Sequence, residues 1–240
     1  MIITTRGIVL RAIKYSETSV ICDIYTETMG LQSYIVSGVR KRKAKISASL
    51  LQVMSIIEIV AYHKTNRELN RITEVKPAYV YQQMPFDVIK GSVGLFMAEL
   101  TQKTIKEHEE NKPLFDFLYN SFTGLDKSEN SVANYHIGFM AQLADFLGFM
   151  IDDNLSENMP YFDVKEGQFR SNRIANQDGL DLELSEALFA FCQLSLEENY
   201  KVKMNREDRR VIIKSLIRFY QYRIENFKEL NSFTILQEIF

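Results

Sequence analysis

The feature that most constrains the fold of this chain is a change in the spacing of its apolar residues near residue 80. Before this point, β-branched and aromatic residues alternate with polar residues in short runs, which is the pattern of half-buried strands. After it, apolar residues recur every three or four positions, as they do on the buried face of a helix. The sequence therefore predicts an α+β protein with two domains, a strand-rich one at residues 1–80 and an all-α one at residues 81–240.

The first domain is predicted to contain five strands, at residues 3–13, 19–26, 31–37, 53–62 and 69–75. Gly30 supplies a tight turn, so we expect the second and third strands to form a hairpin. The longest connection lies between the third and fourth strands. Five short strands arranged in this way match a small closed β-barrel of the OB type.

The second domain is predicted to contain helices at residues 86–108, 113–121, 131–147, 185–198 and 206–228. Residues 148–184 interrupt this pattern, because they lack a helical period. Within them we expect a small hairpin that turns at Lys165, Glu166 and Gly167. A segment of this length without helical structure usually has a function of its own.

Composition limits where the protein acts. No run of apolar residues approaches the roughly 18 that a membrane-spanning helix needs, and the N-terminal residues do not resemble a signal peptide. We therefore expect a cytoplasmic protein that does not bind membranes. Cys22 and Cys192 lie far apart without the spacing of a zinc site, so they are predicted to be buried thiols.

Charge is unevenly distributed along the chain. The formal net charge is -2, yet residues 1–80 contain 12 basic and 6 acidic side chains. Much of this excess lies in one block, formed by Arg40, Lys41, Arg42, Lys43 and Lys45. Because five neighbouring cations cannot be buried together, the block must form a solvated loop. It follows the third strand of the predicted barrel, close to the face on which OB barrels bind oligonucleotides, and so predicts contacts with phosphates.

Other residues of the first domain could enlarge this surface. Arg6, Arg11 and Lys14 lie along the first strand and could add positive charge. The rings of Tyr15, Tyr25 and Tyr34 could stack on bases. A tyrosine in a strand is more often a packing residue, however, and Tyr34 is the one that we include in the predicted DNA-binding set.

The last predicted helix carries four cations at four-residue spacing, beside its apolar face. They are Arg206, Arg210, Lys214 and Arg218. Three interpretations stay open: a solvated helix flank, a second contact with phosphates, or a binding site for an acidic peptide.

The sequence does not indicate an enzyme. It contains no P-loop, GxSxG, HExxH or dinucleotide-binding motif, and its three histidines occur singly. We therefore predict no catalytic and no metal-binding residues. Two alternatives to a DNA-binding protein stay open, namely a scaffold that binds acidic peptides and a metal-dependent nuclease that uses acidic residues between 81 and 200.

Several segments resemble one known family. They are T-R-G-I-V-L-R (Thr5 to Arg11), Y-T-E-T-M-G-L (Tyr25 to Leu31), V-S-G-V-R-K-R-K (Val36 to Lys43), L-L-Q-V-M-S-I-I-E-I (Leu50 to Ile59) and the closing segment from Lys214 to Leu236. In their order and spacing, these segments resemble the bacterial RecO family of recombination mediators. The resemblance covers nearly the whole chain.

This resemblance implies an OB domain, a helical domain and no catalytic centre. It implies binding of single- and double-stranded DNA and annealing of complementary strands. As partners it implies RecR and the acidic C-terminal tail of the single-stranded DNA-binding protein SSB, so that RecA can load onto SSB-coated DNA. The family's DNA contacts in the basic loop carry over onto Arg40, Lys41, Arg42, Lys43 and Lys45.

The chain departs from the family in one respect. Many members carry four zinc-binding cysteines in the region that corresponds to residues 148–175, where this sequence has no cysteine. Because thiolate ligation is then impossible, we expect no zinc, and no other cofactor is indicated.

Overall fold

The computed structural model describes residues 1–39, 41, 44–63, 69–174 and 178–240. The chain forms two compact units. The barrel unit consists of Met1–Pro85 and Ala98–Asp126, and the helical unit consists of Phe86–Met97 and Lys127–Phe240. Helical residues 98–126 thus group with the strands.

The barrel is closed by five strands in the order β1-β2-β3-β5-β4. Their bounds are β1 (Ile2–Lys14), β2 (Val20–Thr26), β3 (Gly30–Val36), β4 (Ile56–Tyr62) and β5 (Leu69–Pro77). Only the pairing of β3 with β5 is parallel among these strands. This arrangement confirms the predicted five-stranded OB-type barrel.

One long strand closes the barrel. The first half of β1 pairs with β4 from Ile2 to Ile8, and the second half pairs with β2 as far as Lys14. The register of β1 with β2 shifts between Val9 and Arg11, as a β-bulge does when it bends a strand.

The predicted hairpin of β2 and β3 is also confirmed. Gly30 begins β3 with a φ of 61°, in the left-handed region. A Cβ atom at this position would collide with the carbonyl oxygens of Glu107 and Glu109. Gly30 therefore serves both the turn and the close packing of residues 107–109 on it.

The barrel is filled by apolar side chains from every strand and from the connection between β3 and β4. The buried cluster is Ile3, Val9, Cys22, Ile24, Tyr34, Val36, Val39, Ile46, Leu51, Ile57, Ile59, Ala61 and Ile72. Val39, Ile46 and Leu51 lie outside the strands, so this connection is anchored in the core at three points.

The described helices are α1 (Val88–Thr104), α2 (Lys112–Lys127), α3 (Tyr135–Phe146), α4 (Leu182–Gln193), α5 (Arg206–Arg223) and α6 (Asn231–Ile239), with short 3-10 helices at Ala48–Leu51 and Leu196–Lys201. The first five correspond to the predicted helices. The sequence pattern did not separate α6, because it extended the preceding helix to residue 228. In the structure α5 ends at Arg223, and Asn226 adopts a φ of 57° that no helix tolerates.

Helix α3 lies at the centre of the helical unit, where nearly all of its side chains are buried. The Tyr220 hydroxyl of α5 donates to the carbonyl oxygen of Met140, 2.8 Å away. The Gln142 amide donates to the carbonyl oxygens of Phe191 and Leu194 at the end of α4. These bonds satisfy polar groups that burial would otherwise penalise.

The hairpin predicted within residues 148–184 is present. Its strands are β6 (Tyr161–Asp163) and β7 (Gln168–Arg170). The Asp163 carboxylate accepts hydrogen bonds from the backbone N–H groups of Lys165 and Glu166, both at 3.0 Å, and Gly167 adopts a φ of 76°. An aspartate and a glycine at these positions are typical of a tight turn.

Candidate nucleic-acid interface

The strand register places several cations at one end of the barrel. Lys14 at the end of β1 pairs with Val20, and Val20 pairs with Val36 at the end of β3. Because β5 runs parallel to β3, Arg71 pairs with Ile35 at the same end. We call this end, with Lys14, the described residues between 37 and 55 and Arg71, the barrel mouth.

The local structure of the β3–β4 connection turns its lysines toward solvent. Lys41 donates its backbone N–H to the carbonyl of Gly38 at 3.2 Å, and Ala44 donates to the carbonyl of Lys41 at 3.1 Å. Because Val39 and Ile46 point into the core, Lys41 and Lys45 between them are exposed. Arg40, Arg42 and Lys43 lie outside the described residues.

A cleft of about 340 Å³ opens between this connection and β5. Lys41, Lys45 and Arg71 line it, together with the polar Ser37 and Thr73. Within the described residues, none of the three cations forms an ion pair. The cleft, which we call the mouth cleft, therefore concentrates positive charge that can attract an anionic ligand.

Arg71 was not predicted from the sequence. Its only local signal is the alternation of β5, in which Asn70 and Ile72 are buried and Arg71 is exposed. Its place beside Lys41 follows from the parallel pairing of β3 with β5, which the sequence does not reveal.

Two predicted cations of β1, Arg6 and Arg11, form ion pairs with carboxylates of the protein itself, and their contact with DNA stays a prediction. Arg6 makes two hydrogen bonds with the Glu27 carboxylate, at 2.9 and 2.7 Å. Its guanidinium also lies 5.1 Å from the ring centroid of Tyr119. The hydrogen bond raises the pKa of Arg6 and lowers that of Glu27. Arg11 pairs with Asp23, with Nε and Oδ2 2.5 Å apart.

The predicted stacking residues separate into buried and exposed ones. Tyr25 and Tyr34 are completely buried, and burial raises the pKa of both hydroxyls. The ring of Tyr34 belongs to the barrel core, so the structure corrects the prediction that it contacts DNA. Tyr15, in the turn after β1, is 61% exposed, and Lys14 beside it is exposed too.

The cations of α5 are partly occupied by the end of the chain. Arg206 and Arg210 donate from Nη2 to the carbonyl oxygen of Gln237 in α6, at 2.7 and 3.0 Å. Cations at the C-terminal end of a helix satisfy its free carbonyl groups and complement its dipole. Arg218 lies 3.4 Å from the Asp178 carboxylate, measured from Nη1 to Oδ1.

A groove of about 760 Å³ lies between α5 and the segment that contains α6. Lys214 and Arg218 line it beside the apolar residues Val211, Ile217 and Phe233. We call it the α5–α6 groove. Its mixture of cations and apolar walls suits a peptide that carries carboxylates and an aromatic side chain.

The C-terminal residue, Phe240, packs against side chains of α3 and α5. Phe240 stacks on the ring of His136, with centroids 5.4 Å apart, and the Arg209 guanidinium lies 5.7 Å from the Phe240 centroid. In the described part of the chain, neither ring nitrogen of His136 has a hydrogen-bond partner. Burial, with a smaller effect from the charge of Arg209, lowers the pKa of His136 to about 3.

The hairpin of β6 and β7 does not fit a zinc site. Phe162 and Phe169 pack with ring centroids 5.2 Å apart. The Asn154 side chain donates to the carbonyl of Phe169 and accepts from its N–H. Aromatic packing and the hydrogen bonds of one amide therefore stabilise this hairpin. A zinc knob would instead need thiolate ligands. Among the described residues, no group of three or more His, Cys, Asp or Glu side chains is placed to hold a metal ion.

Comparison with known proteins agrees with this architecture. The family model described as "Recombination protein O N terminal" matches residues 1–81, and the one described as "Recombination protein O C terminal" matches residues 85–231. Proteins named "DNA repair protein RecO" are similar over 100% of both chains: 33% identical in Christiangramia forsetii, 32% in Bacteroides fragilis and 33% in Flavobacterium johnsoniae.

Helix length and hydropathy give one further observation: in the described ranges, no helix is both long and apolar enough to span a membrane. The family matches cover nearly all of the sequence and divide it where the strand pattern gives way to the helical one. The chain belongs to the RecO family of DNA repair proteins.

Proposed function

We propose that this protein is a non-enzymatic recombination mediator that binds single- and double-stranded DNA at the barrel mouth and anneals complementary strands. The observation that supports this most directly is the mouth cleft, where Lys41, Lys45 and Arg71 make no ion pair within the described residues. Cations that neutralise phosphates release counterions, and they also reduce the repulsion between two strands. A surface of this kind can hold two backbones close enough to pair.

The proposed partners follow from the family. With RecR, the protein would help RecA to load onto single-stranded DNA coated with SSB, in the cytoplasm beside the nucleoid. The acidic tail of SSB would dock in the α5–α6 groove, which is supported by Lys214 and Arg218 beside apolar walls.

The decisive experiment is a salt titration of DNA binding, followed by the fluorescence anisotropy of a labelled strand and a labelled duplex. The variant Lys41→Ala, Lys45→Ala, Arg71→Ala removes the described cations of the mouth cleft. The slope of log affinity against log salt falls by about 0.7 for each phosphate of a single strand that the protein no longer neutralises, and by about 0.9 for each phosphate of a duplex. We therefore expect the slope on a single strand to decrease by about 2.

A matched control removes three lysines elsewhere in the barrel unit. Lys76→Ala, Lys106→Ala, Lys112→Ala makes the same change in net charge outside the mouth, and two of these lysines pair with acidic residues. The control should retain the wild-type slope. If the mouth variant retains it as well, DNA does not bind at the mouth.

A scaffold that binds acidic peptides without binding DNA is the second candidate, and the α5–α6 groove favours it. Titration with an acidic peptide that ends in phenylalanine separates the two functions. Peptide binding combined with no DNA binding at low salt would establish the scaffold. Metal-dependent cleavage of DNA by the purified protein would instead establish the nuclease alternative.

A further inference from the structure

A second concavity opens at the barrel mouth, with a volume of about 470 Å³. Ala12 and Ile13 at the end of β1 and Val20 at the start of β2 form one wall. Leu51 of the 3-10 helix and Val53 after it form the other. We call it the side groove. Its volume lies within the range of about 300–1,000 Å³ that is typical of sites for small organic groups.

Two polar side chains also line the side groove, Lys14 and Gln52, and both are exposed. Lys14 pairs in register with Val20 of the groove wall. An amide such as Gln52 can both donate and accept a hydrogen bond, whereas Lys14 can contact an anion.

The side groove and the mouth cleft belong to the same end of the barrel. Val20 of the groove wall pairs with Val36, and the cleft begins at Ser37, directly after Val36. An apolar surface therefore lies beside a row of cations. Single-stranded nucleic acid has the complementary pattern, since its phosphates are anionic and its unpaired bases have flat apolar faces.

We infer that the side groove is a base-binding site, which takes unpaired bases of a single strand while the mouth cleft and Lys14 hold the flanking phosphates. This inference rests on the proposed function and extends it. The bases of a duplex are paired and stacked, so they cannot enter the groove. The site also supplies a contact for bases that the buried Tyr25 and Tyr34 do not provide.

The inference assigns different energetic roles to the two concavities. Cations of the mouth cleft bind the backbone of a single strand or a duplex, and their contribution falls with salt. The side groove contributes apolar contact with bases, which depends little on salt and acts only on single strands. The groove therefore makes the protein prefer a single strand to a duplex.

The test compares three probes: a thymidine strand, a strand of the same length with abasic sites, and a duplex. Ile13→Asn and Val53→Asn make the groove polar without changing the net charge. Because a base contact is worth about 1–3 kcal/mol, each variant should weaken binding of the thymidine strand about tenfold. Binding of the abasic strand and the duplex should stay within about twofold of the wild type.

Val80→Asn is the matched control, because Val80 is an exposed valine that follows the end of β5 far from Arg71 and lines neither the side groove nor the mouth cleft. It should leave all three affinities unchanged. Gln52→Ala removes an exposed side chain and should weaken binding of the thymidine strand only. This variant tests the groove even if Ile13→Asn or Val53→Asn fails to fold.

The possible outcomes separate this inference from the proposed function. Equal loss of affinity for the thymidine and abasic strands, or no loss for either, would overturn the base-binding site while leaving backbone binding intact. If Ile13→Asn or Val53→Asn weakens binding of the acidic, phenylalanine-ended peptide but of none of the three DNA probes, the side groove binds a protein partner, and the base-binding site is also overturned. If the wild type binds none of the three probes at low salt, the proposed function itself fails.

Discussion

The barrel mouth and helix α5 both carry concentrated positive charge, but the structure uses that charge in different ways. At the mouth, Lys41, Lys45 and Arg71 line an open cleft and form no ion pair among the described residues. On α5, Arg206 and Arg210 bind carbonyl oxygens at the end of α6. The first set of cations can bind a ligand, whereas the second set already binds part of its own chain.

The difference teaches that the density of charge in a sequence does not determine its availability. Five basic residues within six positions and four at helical spacing both stand out in the sequence. Arg206 and Arg210 donate hydrogen bonds to a backbone carbonyl of α6, which lies 31 and 27 residues away from them in the sequence, and no acidic residue in the local sequence reveals these contacts. Arg6 shows the same effect on β1, because its partner Glu27 is distant in sequence.

The comparison is tested most strongly by reversing two charges in each region. Lys41→Glu with Lys45→Glu should weaken DNA binding more than about 100-fold, because carboxylates then repel the phosphates. Lys214→Glu with Arg218→Glu makes the same change in the α5–α6 groove and should leave DNA affinity within about threefold of the wild type. Anisotropy at fixed salt measures both.

The same pair of variants should give the opposite result with an acidic peptide that ends in phenylalanine. The groove variant should lose peptide binding, and the mouth variant should retain it. If both variants lose DNA binding equally, the two regions act as one surface and the distinction between them is wrong.

The fold was largely predictable because it depends on local periodicity. Alternation placed the five strands within a few residues of their observed bounds, and Gly30 marked the hairpin between β2 and β3. The turn at Gly167 was found in the same way. The break after Arg223 contains no proline or glycine, so the predicted helix was extended to residue 228, and the segment that forms α6 was left unassigned.

The site was less predictable because it depends on pairing between distant segments. The exposed loop lysines followed from their own sequence, since consecutive cations cannot be buried. The neutralisation of Arg11 by Asp23 and the position of Arg71 depend on strand register, which local sequence does not encode. Tyr34 also depends on register, because a shift of one residue would turn it from the core to the surface.

The buried His136, on which Phe240 stacks, predicts that the stability of the helical unit depends on pH. His136 has a folded pKa of about 3, against about 6.5 in the unfolded chain, so the unfolded chain binds the proton first as pH falls. Stability should therefore decrease below about pH 6.5, by about 2 kcal/mol at pH 5. Urea unfolding of the helical unit at pH 7 and pH 5 measures this loss.

His136→Leu provides the control, because leucine does not titrate. The variant should unfold with nearly the same free energy at both pH values, apart from the contribution of carboxyl groups. If it loses as much stability as the wild type between pH 7 and pH 5, His136 is not the titrating group.

The Arg6–Glu27 pair predicts a smaller effect, which is one of stability and not of binding. The hydrogen bond from Arg6 lowers the pKa of Glu27 below its unfolded value of 4.5. The pair therefore stabilises the folded state above pH 4.5, and this stabilisation is lost as pH falls through the folded pKa. Glu27→Gln should cost about 1 kcal/mol at pH 7, since the pair is partly exposed, and the difference should vanish in acid. DNA affinity should not decrease, and a decrease would place Arg6 at the interface.

The smallest effect is expected for the cations that hold α6. Arg206→Ala with Arg210→Ala removes two donors to the carbonyl of Gln237, whose hydrogen bonds lie near the surface. The amides of residues 231–240 should therefore exchange with deuterium about threefold faster, while the rest of the helical unit keeps its protection. The DNA salt slope should equal that of the wild type, because these cations are bound to the chain's own backbone. Unchanged exchange together with a smaller salt slope would show that Arg206 and Arg210 bind DNA instead, and α5 would then resemble the barrel mouth.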